Sequence, residues 1–188
     1  MTTVEVDAAV AAAARESLRR AGLGPTVVTG DGYGGHLPGA PYDRVIATCG
    51  MREIPYAWVE QTAPGGIVVA PWGTRYGNGD AVARLVVEDG VASGRFTRLV
   101  RRAAVRHGDY VSQEGADGAD ASTTTVTEAE FHTGRYTQYG PRRLWDEVEA
   151  AFRWWTGRGK PGVERFGLTV DAGGQYVWLD DPAASWGI

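Results

Sequence analysis

Thr2-Thr3-Val4-Glu5-Val6-Asp7, followed at once by Ala8-Ala9-Val10-Ala11-Ala12-Ala13-Ala14-Arg15, is the stretch whose reading decides the fold. The first run reads as a short strand. The second is rich in alanine and arginine, and Asp7 stands where an N-cap belongs. Val10, Ala14, Leu18 and Ala21 fall on one face of a helix over 8–21, and Gly22 supplies its stop. A strand that ends in an acidic residue and feeds a helix is what nucleotide-binding α/β sheets use to hold a ribose, because the carboxylate can accept hydrogen bonds from both hydroxyls. Such a strand is normally the second of its sheet. With nothing ahead of it in this sequence, the expectation is a nucleotide-type domain without its first strand and first glycine-rich turn.

Outward from there, Thr26-Val27-Val28-Thr29 reads as a buried strand, and residues 30–41 as a long loop rich in Gly and Pro. Asp43 to Cys49 is the next strand. Pro55 suits the first turn of a helix over about Tyr56 to Thr62. Pro64-Gly65-Gly66 is a turn, and Ile67 to Ala70 is a strand ending at Pro71-Trp72-Gly73. Strands and helices alternating with short connections predict an α/β fold with a mainly parallel sheet. Ala83 to Glu88, Asp89-Gly90 and a strand from about Arg95 to Val105 predict an antiparallel pair at the sheet edge. Residues 112–125 are Gly, Ala, Asp, Ser and Thr with almost no apolar content, and read as a mobile linker. Beyond it Leu144, Val148, Ala151, Phe152 and Trp155 make a helical stripe, and Val163 to Val170 with Gln175 to Leu179 make a hairpin around Asp171-Ala172-Gly173-Gly174. The expected division is a partial α/β domain over 1–111, a linker over 112–125 and a Trp-rich α+β annex over 126–188.

Composition narrows the function. A formal net charge of -4 gives no whole-chain drive towards nucleic acid or anionic membrane, so neither is expected as a partner. No apolar run approaches the roughly 20 residues of a membrane span. Cys49 is the one cysteine, so no intramolecular disulfide can form, which fits a reducing cytoplasm. The opening residues show no basic n-region and no apolar h-region, and a cytoplasmic location is expected.

Gly30-x-Gly32-x-x-Gly35 matches a dinucleotide fingerprint, but the fingerprint requires a helix next and His36-Leu37-Pro38-Gly39-Ala40-Pro41 cannot begin one. The better reading places Asp31 at a strand end beside a cofactor cleft. His36, His107 and His132 lack metal-ligand spacing, and His107-x-Asp109 is weak alone, so no metal is expected. Cys49 follows a strand, where active-site residues often sit, although a lone buried thiol is the simpler reading. Arg95-Phe96-Thr97-Arg98-Leu99-Val100-Arg101-Arg102 reads as an edge strand whose arginines resist pairing, with an acidic partner as the alternative.

Four elements now line up in order: Val4-Glu5-Val6-Asp7, Gly30-Asp31-Gly32, Ala40-Pro41-Tyr42-Asp43-Arg44-Val45-Ile46, and Pro64-Gly65-Gly66-Ile67-Val68-Val69-Ala70-Pro71-Trp72-Gly73. Together they resemble the protein-L-isoaspartate O-methyltransferase family over roughly Thr2 to Val105. The resemblance implies an incomplete Rossmann-like methyltransferase sheet lacking its first strand, with an antiparallel edge and a small α+β C-terminal annex. It implies S-adenosylmethionine as cofactor, with Glu5 on the ribose hydroxyls and Asp31 and the Gly32 backbone against the adenine. Thr48, Cys49 and Gly50, in the stretch running on to Pro55, would border the acceptor carboxylate, as would Pro71, Trp72 and Gly73. No catalytic residue is assigned, since a carboxylate is already nucleophilic at neutral pH and positioning supplies most of the rate. The acceptor would be a protein or peptide carboxylate.

The family's first strand lies between its second and fourth. Without it, Thr3 to Val6 should either pair directly with Val45 to Thr48 or leave a gap. A complete seven-stranded sheet made by this chain alone would count against that expectation. The polypeptide as given is expected to be inactive or incomplete and to bind S-adenosylmethionine weakly or not at all. A non-catalytic remnant or binding module that keeps half a cofactor site is the alternative, and a dinucleotide-dependent oxidoreductase is disfavoured by the missing helix after Gly35. Limited proteolysis should cut first within 112–125. First cleavage inside Leu144 to Trp155 would show instead that the annex is not a packed unit.

Overall fold

Asp7 caps the first helix as its sequence position requires. Its carboxylate accepts from Ala9 N at 2.8 Å and Val10 N at 3.1 Å. The computed structural model describes residues 1–74, 79–101 and 144–187. In chain order its elements are β1 (Thr2–Glu5), α1 (Ala8–Arg20), β2 (Thr26–Thr29), β3 (Tyr42–Ile46), α2 (Tyr56–Glu60), β4 (Thr62–Trp72), β5 (Gly79–Glu88), β6 (Val91–Arg101), α3 (Leu144–Gly157), β7 (Phe166–Asp171), β8 (Gly174–Leu179) and β9 (Ser185–Gly187). The face of α1 that turns inward is Ala11, Ala14 and Leu18, so Val10 stays exposed. Short 3-10 turns over Gly32–Gly34 and Leu37–Gly39 replace any helix after Gly35.

The strands form two sheets. β1 and β2 pair in parallel, with Glu5 opposite Thr29. The other sheet runs β3-β4-β5-β6-β7-β8-β9. It has seven strands, but it is not the sheet whose completeness was at issue, because β1 and β2 are outside it and three of its members come from the C-terminal stretch. β1 does not pair with β3, which is the gap outcome. Apolar residues at the ends of both strands are open, with Val6 51% and Ile46 69% exposed.

β4 is the pivot of the large sheet, parallel to β3 on one side and antiparallel to β5 on the other. It is longer than its sequence suggests, since Pro64-Gly65-Gly66 lies inside it rather than ahead of it. The turn survives as a bulge. Between the pairs Tyr42–Thr62 and Arg44–Ile67, β4 spends five residues where β3 spends two, and Gly65 takes a φ of +76° that a side chain would resist. Asp89 and Gly90, with φ of 50° and 76°, close the β5–β6 hairpin with the positive φ values that suit its twist.

β6 is not an edge strand. Ala92 to Arg95 pair with β7 along Val170 to Gly167. Arg95 therefore does not guard an edge. Its guanidinium lies 5.3 Å from the Trp178 ring centroid and donates to the carbonyls of Glu164, Arg165 and Asp180. The alternation of Val68, Ala70 and Trp72 on β4 with Ala83, Leu85 and Val87 on β5 makes one buried face, which Phe96, Leu168 and Val170 extend. α2 and the loop before it cover that face through Met51, Ile54, Trp58 and Val59.

Residues Met1–Ala104 and Val163–Ile188 form one compact unit, and Val105–Gly162 a second. The hairpin β7–β8 thus belongs with the sheet and not with α3, as the 126–188 annex had it. An isolated hairpin is marginal in water, and β6 offers a free ladder for it. In the second unit Phe152, Trp154 and Trp155 are half-buried, while Val148 and Ala151 are exposed, so the stripe read from the sequence is displaced. Trp155 Nε1 donates to Pro161 O at 3.0 Å. The expected linker over 112–125 and the residues His107, Asp109, Phe131 and His132 lie outside the described residues.

Gly94 shows how closely β5 and β6 approach. A Cβ there would collide with the Arg84 carbonyl. Gly94→Ala should destabilise the domain by about 1–3 kcal/mol, since backbone cannot yield as a flexible side chain would. Gly24→Ala, with nothing within 4 Å of its Cβ, should change stability by less than about 0.5 kcal/mol. Urea midpoints of the two variants provide the comparison.

Candidate active site at the strand ends

The C-terminal ends of parallel strands collect the candidate residues, as expected of open α/β sheets. Glu5 closes β1, and its Oε1 accepts from Asp7 N at 2.9 Å. Asp31 follows β2 by two residues, and its Oδ1 accepts from Tyr33 N at 2.9 Å, capping the Gly32–Gly34 turn. The second oxygen of each carboxylate accepts no hydrogen bond from the described residues. A Cβ placed on Gly30, Gly32 or Gly34 meets nothing within 4 Å, so the loop borders open space.

The loop after β3 runs beside the end of β4. Met51 N donates to Pro71 O at 2.7 Å, and Gly73 N donates to Met51 O at 3.0 Å. Thr48, Cys49 and Gly50 are thereby brought to the same strand end as Pro71, Trp72 and Gly73. The Cys49 thiol lies 3.6 Å from Met51 Sδ. Trp72 is buried and stacks on Phe96 with centroids 5.5 Å apart, and its indole N–H has no hydrogen-bond partner among the described residues.

Electrostatics ties the two groups together. Burial pushes the Cys49 thiol up from its ordinary value, a hydrogen bond with its own backbone works the other way, and the Glu5 carboxylate adds to the rise. Burial also raises the Tyr33 phenol, with further contributions from Glu53, Cys49 and Asp31. Such influence decays with distance, so Glu5, Asp31, Tyr33, Cys49 and Glu53 share one acidic neighbourhood.

Several anchoring residues carried no signal in the sequence. Trp58 Nε1 donates to Gly32 O at 2.8 Å. Gln61 Nε2 donates to Gly34 O, while its Oε1 accepts from His36 N, both at 2.8 Å. α2 thus holds the Gly30–His36 loop directly. Arg52 Nη1 reaches Asp80 Oδ1 at 3.1 Å and Gly73 O at 3.0 Å. Asp80 is fully buried, and burial pushes its carboxyl up. No group of three or more His, Cys, Asp or Glu side chains able to hold a metal ion occurs among the described residues.

A parallel β-α-β unit with carboxylates at adjacent strand ends, set beside a third strand end with a clamped loop, defines an α/β domain of the nucleotide-cofactor class. The chain belongs to the protein-L-isoaspartate(D-aspartate) O-methyltransferase family, whose model matches residues 1–101. It is 42% identical over 91 residues to the protein-L-isoaspartate O-methyltransferase of Methylibium petroleiphilum, covering 48% of this chain and 33% of that one. It is 48% identical over 67 residues to the corresponding protein of Methanoculleus marisnigri, covering 35% and 30%. The matched region spans about a third of the length of these curated relatives. A solved protein-L-isoaspartate O-methyltransferase shares the fold, with a TM-score of 0.60 at 18% identity over 96% of this chain and 68% of that one. The methyltransferase fold expected from the four ordered elements is therefore present.

The thiol supplies a test of this electrostatic setting. Only the thiolate reacts with alkylating reagents, and a raised pKa leaves less thiolate at any given pH. Cys49 in the folded protein should react with iodoacetamide more slowly than a free cysteine at pH 8, and the gap should close in denaturant. Glu5→Gln should speed the folded reaction. A folded rate equal to that of the free thiol would contradict the assignment.

Proposed function

We propose that this chain carries the adenosine-facing and acceptor-facing parts of an S-adenosylmethionine-dependent carboxyl O-methyltransferase that acts on isoaspartyl residues of proteins or peptides. Family membership supports the reaction class. The observation that supports the reading for this chain is Glu5 at the end of β1, close enough to act on the Cys49 thiol of the loop clamped to Pro71–Gly73, with Asp31 after the adjacent strand.

The residues present fit the cofactor. Glu5 would hold the ribose hydroxyls with its uncommitted oxygen, and Asp31 and the Gly32 backbone would flank the adenine, where the glycines leave room. When bound, S-adenosylmethionine supplies a methyl group activated by a sulfonium. The acidic neighbourhood of Glu5, Asp31 and Glu53 suits a cationic ligand. The backbone of Pro71, Trp72 and Gly73 and the exposed Thr48 with Gly50 would border the acceptor carboxylate at the same edge. The acceptor carboxylate needs no base, so these residues act by orienting it and excluding water. Cys49 is the strongest latent nucleophile nearby, and its raised pKa keeps it a neutral thiol that does not compete for the methyl group.

Calorimetry with S-adenosylmethionine and transfer of labelled methyl to an isoaspartyl peptide, against its aspartyl counterpart, test the reading. Label in the isoaspartyl peptide and not in its aspartyl counterpart supports the reading and overturns the expectation of an inactive or incomplete chain. Peptide binding without transfer would point to a binding module. Glu5→Gln should weaken cofactor binding by about 1–3 kcal/mol, because a charged acceptor to two hydroxyls becomes neutral. An unchanged dissociation constant would remove Glu5 from the site.

A further inference from the structure

The geometry points to Gln175, on β8, as a positioning residue for the acceptor-bordering loop and, through α2, for the adenine-side loop; its part in methyl transfer rests on the function proposed above. Gln175 lies outside residues 1–101, which the family model covers. Its side-chain amide reaches the loop between β3 and α2 from across the sheet. Oε1 accepts from Ile54 N at 2.8 Å, and Nε2 lies 3.5 Å from Arg52 O. One side chain thus engages an N–H and a carbonyl two residues apart, on the segment that joins the Met51 clamp to the start of α2. Ile54 is almost fully buried beneath it.

From that contact a chain of bonds leads to the candidate site. Towards the N-terminal side it meets Arg52, whose guanidinium binds Gly73 O and the buried Asp80, and then Met51, which pairs on both sides with the end of β4. Towards the C-terminal side it meets α2. That helix has five residues and no side-chain cap, so it cannot hold itself in place. Its Trp58 and the following Gln61 are the residues that hold Gly32 O, Gly34 O and His36 N. Gln175 is the one side chain of the β7–β8 hairpin that hydrogen-bonds this loop among the described residues. Its strand is fixed through six register pairs with β7, which in turn pairs with β6. A rigid strand therefore sets the height of the stretch that joins the Met51 clamp to α2. A core contact alone would have placed an apolar residue here; an amide matched to both backbone polarities fixes register as well as distance.

The test uses the full chain with Gln175→Met, which keeps the volume and loses both hydrogen bonds, and Gln175→Glu, which keeps the acceptor for Ile54 N. Amide exchange is followed at Ile54, at Gly35 and His36, and along the β7–β8 ladder, and KM and kcat are measured with S-adenosylmethionine and an isoaspartyl peptide. For Gln175→Met, exchange at Ile54, Gly35 and His36 should rise by about tenfold while ladder amides such as Leu168 and Val177 stay protected. KM for the peptide should rise by about tenfold with kcat changed less than about twofold, as for lost positioning that acts on binding. Gln175→Glu should restore protection at Ile54. Faster exchange confined to Ile54, with peptide KM unchanged, would overturn the inference, and so would a uniform rise across the ladder, which would mark Gln175 as merely structural. If the wild-type chain transfers no methyl group, the methyltransferase reading fails on its own, and the spread or confinement of exchange still decides whether Gln175 sets the two loops.

Discussion

Two main-chain hydrogen bonds on Met51 hold the candidate site together. Its N–H binds Pro71 O and its carbonyl binds Gly73 N–H, so the loop leaving β3 is laid along the last residues of β4 as if it were another short strand. Main-chain bonds of this kind depend on backbone position, not on side-chain identity, and they explain why Thr48–Gly50 and Pro71–Gly73 meet although some twenty residues separate them. The loop then enters α2, and α2 reaches back to Gly32 and Gly34. If the Met51 clamp opened, neither the Thr48–Gly50 edge nor the Gly30–His36 loop would keep its place.

β4 makes that clamp possible because it is where the large sheet changes direction. It is parallel to β3, so its C-terminal end lies beside that of β3. It is antiparallel to β5, so the chain can continue through hairpins without a covering helix between strands. One face of β4 to β7 is covered by the Met51–Val59 stretch. The C-terminal hairpin then extends the same sheet. That addition gives β6 a partner on each side and converts Arg95 from a guard of an exposed edge into a bridge to Trp178 and three carbonyls. β1 and β2 pair only with each other, with α1 beside them, and the loop that follows β2 is held by Trp58 and Gln61.

Much of this was legible in the sequence where the determinants are local. Asp7 as a cap, Gly22 as a stop, Asp89-Gly90 as a hairpin turn and the refusal of His36-Leu37-Pro38 to start a helix are decided within a few residues, and each took the form its chemistry dictates. Glu5 and Asp31 could be placed because a strand's end is readable. What could not be read is long-range. Pro64-Gly65-Gly66 looks like a turn, and only pairing with β3 and β5 absorbs it into β4 as a bulge. Val163 to Leu179 reads as a hairpin, but nothing local says that it docks on β6 and not on α3. Gln175 meets Ile54 across 121 positions, and Arg52 meets Asp80 across 28. A Gln in a strand and an Arg in a loop are ordinary surface residues until the sheet brings them together.

The electrostatics of the site follow from the same packing. Glu5 comes from the end of β1, and Asp31 and Glu53 from two separate loops. Burial is the main cause that raises the Cys49 thiol and the Tyr33 phenol, and the carboxylates add to it, Glu5 on the thiol and Glu53 and Asp31 on the phenol, leaving a region that disfavours further negative charge. For the proposed reaction this has two consequences of opposite sign. A cationic methyl donor is favoured and the thiolate of Cys49 is suppressed, yet an incoming acceptor carboxylate meets the same repulsion. Arg52 cannot fully offset it, because its Nη1 is committed to Gly73 O and to Asp80. For the proposed reaction, a cationic donor would offset that repulsion, and the raised Cys49 pKa would favour an oxygen nucleophile over the sulfur.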